Sequence, residues 1–128
     1  MSRFCLVYQS SPVIARDLAI TLEDLTGCTP LIVPDMDAAE EAITTLGPEA
    51  ELGYAFVHLG VNDYRNSLLR QMLDRLSARV VLLGHAAETE AGASDWPVLA
   101  QPFSTSQVAE LLARLEAGTM QPPDPTLS

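Results

Sequence analysis

Five short apolar runs divide the chain, and they constrain its fold more than any other feature. They cover residues 4–8, 30–34, 53–59, 79–83 and 97–100. Each run is apolar throughout, which is typical of strands buried on both faces of a parallel sheet. Helical patterns separate the runs. The sequence therefore predicts an α/β fold, a doubly wound (βα)5 three-layer sandwich whose five-stranded, flavodoxin-like parallel sheet has the order 2-1-3-4-5.

The first and last helices carry the clearest boundary signals. Ser11 is suited to the N-cap of the first helix with Pro12 at its first position, and Gly27 to the left-handed position that ends it. Ser104 and Gln107 have the spacing of a capping box for the last helix. The apolar residues predicted to face the core are Ile14, Leu18, Leu22 and Leu25 in the first helix and Leu111, Leu112 and Leu115 in the last.

The intervening helices are less regular. Asp37 and Glu40 have the spacing of a capping box at the start of the second helix. The helix after the third strand is predicted to face the core with Leu68, Leu69, Met72, Leu73 and Leu76. Residues 85–96 hold no periodic apolar face, so we expect the fourth helix to be shortened to one or two turns.

The composition favours one folded domain. A chain of 128 residues, 48% hydrophobic and 19% charged, suits a single core. It has no apolar run long enough to span a membrane and no export signal, so we expect a cytoplasmic protein. We place the domain at residues 1–118 and expect residues 119–128, with their prolines, to form a disordered C-terminal tail. Cys5 and Cys28 are expected to be reduced packing residues.

The net charge argues against two classes of partner. Seven basic residues stand against 17 acidic ones, for a net charge of −10. Such a chain repels polyphosphates and anionic lipid surfaces, so neither nucleic acid nor a membrane is expected as a partner.

The strand ends are where function is expected, because ligands of such sheets bind outside the carboxyl ends of the strands. In chain order these ends read Gln9-Ser10, Pro34-Asp35, His58-Leu59-Gly60, Gly84-His85 and Gln101-Pro102. Charged side chains are almost absent from them. The edge is therefore predicted to be nearly neutral.

The segment AGASDWPVLAQPFSTSQVAELL, residues 91–112, resembles the receiver (CheY-like) domain of bacterial response regulators. That family shows an Ala-Gly-Ala-like turn, a strand, Lys-Pro-Phe and a Ser- or Thr-capped last helix. The resemblance extends over residues 3–117 as an order of elements and is specific only in the last stretch. It also implies a structural cis peptide bond before Pro102.

The positions that carry phosphotransfer in the family hold other residues here. Gln9 and Ser10 stand where the family has an acidic pair that helps hold Mg²⁺. His58 stands at the position of the phosphoaccepting aspartate, Gly84 at that of the phosphate-sensing Thr or Ser, and Gln101 at that of the lysine. Mg²⁺ favours carboxylate oxygens, and without metal and lysine the charge of a transferring phosphoryl group is uncompensated. The resemblance therefore implies a degenerate pseudo-receiver that is not phosphorylated.

Two alternatives concern the same edge. Asp63 follows His58 by five residues and could accept a phosphoryl group only with a different loop path, so we expect it to cap a helix or to lie in solvent. His58 and His85 are predicted at neighbouring strand ends and could line a ligand pocket. Two histidines without carboxylate or cysteine support make a poor zinc site, so no metal is expected. His58 is expected instead to fill the former acidic pocket by hydrogen bonding to Gln9, Ser10 or Gln101.

These observations predict a non-enzymatic, stand-alone pseudo-receiver that acts by protein–protein interaction in bacterial signal transduction, without a cofactor. The expected partner is a histidine kinase, a regulator or a transcription factor, and a homodimer is a further expectation. The alternative is a small-molecule or nucleotide sensor that uses the neutral pocket around Gln9, His58, His85 and Gln101. No activated nucleophile or acid–base pair is evident, so an enzyme ranks third.

Overall fold

The structure, a computed structural model, describes residues 2–101 and 103–118. The predicted cis bond before Pro102 and the predicted tail at residues 119–128 lie outside the described residues. Within the described ranges, no helix is both long and apolar enough to cross a membrane.

Five parallel strands form one sheet of order β2-β1-β3-β4-β5, which confirms the predicted fold. The strands are β1 Ser2–Tyr8, β2 Thr29–Val33, β3 Ala50–Val57, β4 Arg79–Leu83 and β5 Val98–Leu99. The helices are α1 Pro12–Thr26, α2 Met36–Thr45, α3 Val61–Arg65, α4 Leu68–Arg75, α5 His85–Thr89 and α6 Thr105–Gly118. A 3-10 turn, Ala91–Ala93, follows α5. The shortened helix after β4 is also as predicted, since α5 has five residues.

The sheet separates two apolar layers. Successive side chains of a strand point to opposite faces, so neighbours in β1 enter different layers. Cys5 and Val7 pack with α1 and α6 on one face. Leu6 packs with helices α2 to α5 on the other. Cys5 and Cys28 are both free thiols and fully buried, as expected.

The predicted boundaries of α1 and α6 are confirmed, although the Ser11 side chain makes no cap hydrogen bond at the start of α1. Gly27 has φ 75° and follows the last residue of α1, where the left-handed conformation suits glycine. At α6 the Ser104 N–H donates to Gln107 Oε1 over 2.7 Å, and the Gln107 N–H donates to Ser104 Oγ over 3.2 Å. This reciprocal pair is the predicted capping box.

Two helix predictions are wrong. The cap of α2 is Asp35, whose Oδ1 accepts the Ala38 N–H over 2.8 Å, and Asp37 lies in the first turn instead. The helix predicted after β3 forms as α4, which Ser67 starts by accepting the Arg70 N–H, but the separate α3 before it was not predicted. Leu68 and Leu76, predicted to face the core, are 52% and 42% exposed, and so is Leu25 of α1, at 40%.

Candidate functional site

The carboxyl edge of the sheet brings the predicted site residues to the expected strand ends. Gln9 follows β1 and is 2% exposed, whereas its neighbour Ser10 is exposed. His58 directly follows β3 and is half-buried, and Gly84 directly follows β4 and is buried. Gln101 follows β5 by two residues and is half-buried. None of these four strand-end residues is itself a carboxylate.

His58 and Gly84 fit each other closely. The His58 N–H continues the sheet by donating to the Tyr8 carbonyl over 2.9 Å, which fixes the backbone. A Cβ on Gly84 would lie 2.1 Å from His58 Cδ2 and 2.3 Å from Nε2. Gly84 also has φ 103°, a conformation that residues with a Cβ rarely adopt. The imidazole therefore occupies the volume that any side chain at position 84 would need.

Gln9 is held by a local hydrogen bond and leaves one donor unpaired. Its Oε1 accepts the Ser11 N–H over 3.1 Å at the start of α1. Its Nε2 is buried and has no hydrogen-bond partner in the part of the chain that the structure describes. The expected bonds from the His58 ring to Gln9, Ser10 or Gln101 do not form among those residues, since the ring lies against Gly84 instead. A buried donor without an acceptor costs about 1–3 kcal/mol.

Two glutamates of the segment after β4 tie the neighbouring loops together. Glu90 Oε1 accepts the Val61 N–H over 2.7 Å, and its Oε2 accepts from Asn62 Nδ2 over 3.3 Å. Glu88 Oε2 accepts the Gln101 N–H over 3.0 Å. Both glutamates were missed by the sequence analysis. Their partners lie 29 and 13 residues away along the chain, so no local spacing could have identified them.

An aromatic cluster closes the same side of the molecule. The rings of Tyr64 and Trp96 meet edge to face with centroids 4.9 Å apart, and the Arg65 guanidinium lies 5.6 Å from the Trp96 ring centroid. Arg65 also pairs with Asp95 at 3.6 Å. Burial, then the nearby Asp74 carboxylate, raise the pKa of the Tyr64 hydroxyl. The segment around Trp96 therefore packs against α3 and forms polar contacts with it.

His85 and Asp63 lie on the surface. His85 is the first residue of α5 and is exposed. Asp63 lies on α3, five residues after His58, and is also exposed. Across residues 2–101 and 103–118, no three His, Cys, Asp or Glu side chains come together as a metal-binding group.

A groove of about 770 Å³ lies between α1 and the segment that leads from β5 into α6. Ile14, Ile20 and Phe103 give it apolar walls. Its polar lining comes from Asp17, Thr21, Gln101, Ser104 and Thr105. The starts of α1 and α6 therefore border the same concave surface.

Solved structures of other proteins share this fold. SdrG from Sphingomonas melonis Fr1 matches with a TM-score of 0.63 at 24% identity, over 91% of this chain and 97% of that one. An uncharacterized protein from Neptuniibacter caesariensis matches with a TM-score of 0.64 at 15% identity, over 96% and 97%. No family model matches the chain, and no curated protein matches it significantly. At these identities the likeness establishes the fold, a flavodoxin-like α/β sandwich with the 2-1-3-4-5 sheet.

Proposed function

We propose that this chain is a pseudo-receiver that acts in bacterial signal transduction by binding another protein, without being switched by aspartyl phosphorylation. The fold and the likeness to SdrG, a response regulator-like protein, support a role in signalling. The resemblance of residues 91–112 to the receiver family adds a sequence argument for the same role. The degenerate phosphotransfer positions supply the rest of the proposal.

The fit between His58 and Gly84 is the observation that carries the proposal. In the receiver family these two positions accept and sense the phosphoryl group. Here the imidazole fills the space beside Gly84, where a Cβ would meet it at 2.1 Å. A hydroxyl side chain at position 84 and this placement of His58 exclude each other. The two substitutions are therefore complementary, as expected of a pocket adapted to a structural role.

The end of β1 does not suit Mg²⁺. A magnesium site needs oxygen ligands, usually carboxylates. Gln9 Oε1 already accepts the Ser11 N–H, and Gln9 Nε2 is a donor that repels a cation. The nearby Asp35 uses Oδ1 to cap α2. These residues do not fit the metal on which receiver phosphorylation depends, and no step of the proposed function uses one.

Because the residues for phosphotransfer are absent, we propose that the chain acts by binding a protein partner. A chain that is not phosphorylated can act through a surface it presents constantly. Glu90 accepts a hydrogen bond from the start of α3 and Glu88 accepts one from Gln101, so the segment around α5 is tied to the loops on both of its sides. The face formed by α5, β5 and α6 is the surface that we propose for binding. A histidine kinase, a regulator, a transcription factor or a second copy of the chain are the proposed candidates for binding there.

Incubation with acetyl phosphate and Mg²⁺, followed by intact-mass measurement, tests the proposal. The wild-type chain is expected to gain no phosphoryl group. The matched control restores the family residues at all five positions: Gln9→Asp, Ser10→Asp, His58→Asp, Gly84→Thr and Gln101→Lys. If the wild-type protein itself gains a covalent phosphoryl group on Asp63 or His58, the proposal is wrong. The partner is sought by crosslinking at α5 and α6 with purified kinases and regulators encoded nearby.

A further inference from the structure

We propose that the start of α1 is a binding site for a small oxyanion, a phosphate or a carboxylate. The site consists of the backbone N–H groups of Val13 and Ile14, the side-chain amide of Gln9 and the guanidinium of Arg16. The inference is independent of the proposed pseudo-receiver role.

The first turn of α1 leaves its backbone donors free. The Ser11 side chain makes no cap hydrogen bond, and the first turn holds no acidic residue. Pro12 has no N–H, and Ala15 is the first residue whose N–H bonds back, to the Ser11 carbonyl at 2.9 Å. Among described residues no acceptor pairs with the N–H of Val13 or Ile14. Such donors at the positive end of a 15-residue helix attract negative charge.

Gln9 points independently to a ligand at this place. Its Oε1 is fixed on the Ser11 N–H, so the Nε2 of the same amide group lies beside the first turn of α1. Gln9 is 2% exposed and Nε2 has no acceptor among described residues. Rotating the amide would bring Nε2 against the Ser11 N–H, two donors, so the orientation is determined. Because Nε2 is buried, an anion oxygen reaches this donor only when the turn at Ser10, whose side chain is exposed, opens to admit it.

Arg16 supplies the positive charge. It is exposed one turn after Val13 on the same side of α1, and helical side chains lean towards the N-terminus of their helix. Arg16 forms no ion pair with any carboxylate in the described part of the chain. Two carboxylates oppose it: Asp17, which lines the groove, and Asp35, which is close enough to raise the pKa of Tyr8. We therefore expect a compact anion, because a larger one would approach these two carboxylates.

Titration of the ¹⁵N-labelled full chain with inorganic phosphate, and separately with acetate, at fixed pH and ionic strength tests the site. We expect saturable shifts of the Val13 and Ile14 amide signals and of the Gln9 side-chain NH₂ signals. Loss of one charged donor weakens binding about tenfold, so Arg16→Gln is expected to raise the Kd by about that factor. Arg114→Gln, which removes an exposed arginine of α6, is the matched control and should leave the Kd unchanged.

Ser11→Asp separates binding from folding. An aspartate at the N-cap satisfies the free N–H groups within the chain and places a negative charge in the site. We expect a higher Tm together with loss of the anion-induced shifts. Shifts with phosphate alone would identify a phosphate site, and shifts with acetate alone a carboxylate site. The proposal is overturned if neither anion shifts the Gln9 and Val13 signals, or if Arg16→Gln binds as tightly as Arg114→Gln.

Discussion

The carboxyl edge of the sheet has two unlike halves. On the half formed by β3, β4 and α5, His58 packs against Gly84, and Glu90 caps α3 through the Val61 N–H. On the half formed by β1 and α1, Gln9 keeps an unpaired buried donor. We call the first half closed and the second open, although the buried Tyr64 hydroxyl of the closed half, like Gln9 Nε2, has no hydrogen-bond partner among the described residues.

The difference follows from where the partners come from. The closed half receives its acceptors from distant segments: Glu90 reaches Val61 across 29 residues. The open half has only the local Gln9 turn, which satisfies the Ser11 N–H and nothing further among described residues. Because an unsatisfied buried donor costs free energy, an acceptor that reached Gln9 Nε2 would stabilise the open half.

The largest expected effect is at Gly84. We expect Gly84→Ala to lower the free energy of unfolding by about 2–4 kcal/mol, because it combines a clash with His58 and a strained φ. In the His58→Ala, Gly84→Ala double variant the clash should be relieved, whereas the backbone strain from the positive φ at position 84 should remain. Urea unfolding of all four forms gives the coupling between the two residues. Additive single effects would show that His58 and Gly84 do not interact, which would contradict their close fit.

Glu90 tests the polar part of the closed half. We expect Glu90→Ala to cost about 1.5–3 kcal/mol, because it removes a charged acceptor from the Val61 N–H. Glu90→Gln keeps an oxygen in place and should cost less. Glu110→Ala, an exposed glutamate of α6, is the control and should change the stability little. Equal losses for Glu90→Ala and Glu110→Ala in chemical unfolding would contradict the described contact.

A pair of serine variants compares the two helix starts that border the groove. Ser104→Ala breaks the capping box of α6 and should destabilise the fold by about 1 kcal/mol. Ser11→Ala is expected to cost far less, since the Ser11 side chain makes no cap hydrogen bond. Thermal unfolding of the two variants measures the difference. A larger loss of stability for Ser11→Ala than for Ser104→Ala would mean that the Ser11 side chain does cap α1.

Three tyrosines allow a test at high pH. At neutral pH their hydroxyls stay protonated, so they make no contribution to the pH dependence of stability there. Burial and the Asp35 charge raise the pKa of Tyr8 on the open half, and burial raises that of Tyr64 on the closed half. Burial and the Glu116 hydrogen bond raise the pKa of Tyr54 to about 12. A pKa raised in the folded state stabilises it below the unfolded value near 10, and that stability is lost as the pH rises through the folded pKa.

Ultraviolet titration should therefore show Tyr8 ionising first, because it is half-buried, and the fully buried Tyr64 ionising only with unfolding. Tyr8→Phe should remove the first ionisation step and Tyr64→Phe the last. Ionisation of Tyr64 below that of Tyr8, with the far-ultraviolet signal unchanged, would contradict the burial of the closed half.

The sequence alone determined the fold and most local boundaries, because both depend on short-range patterns. Uniformly apolar runs predicted a parallel sheet, and the spacing of Ser104 and Gln107 predicted a cap that the structure forms. The second helix shows where reasoning from local spacing fails. Asp37 had a suitable spacing, but Asp35 is the cap because its extended backbone places Oδ1 on the Ala38 N–H.

The tertiary structure decided the character of the edge. The sequence brought His58, Gly84 and Gln9 to neighbouring strand ends, and it predicted hydrogen bonds for the imidazole. Only the folded chain shows that the ring takes the volume left free by Gly84. It likewise leaves Gln9 Nε2 without an acceptor among the described residues. Packing and hydrogen-bond satisfaction depend on atoms far apart in the chain, so no local pattern in the sequence encodes them.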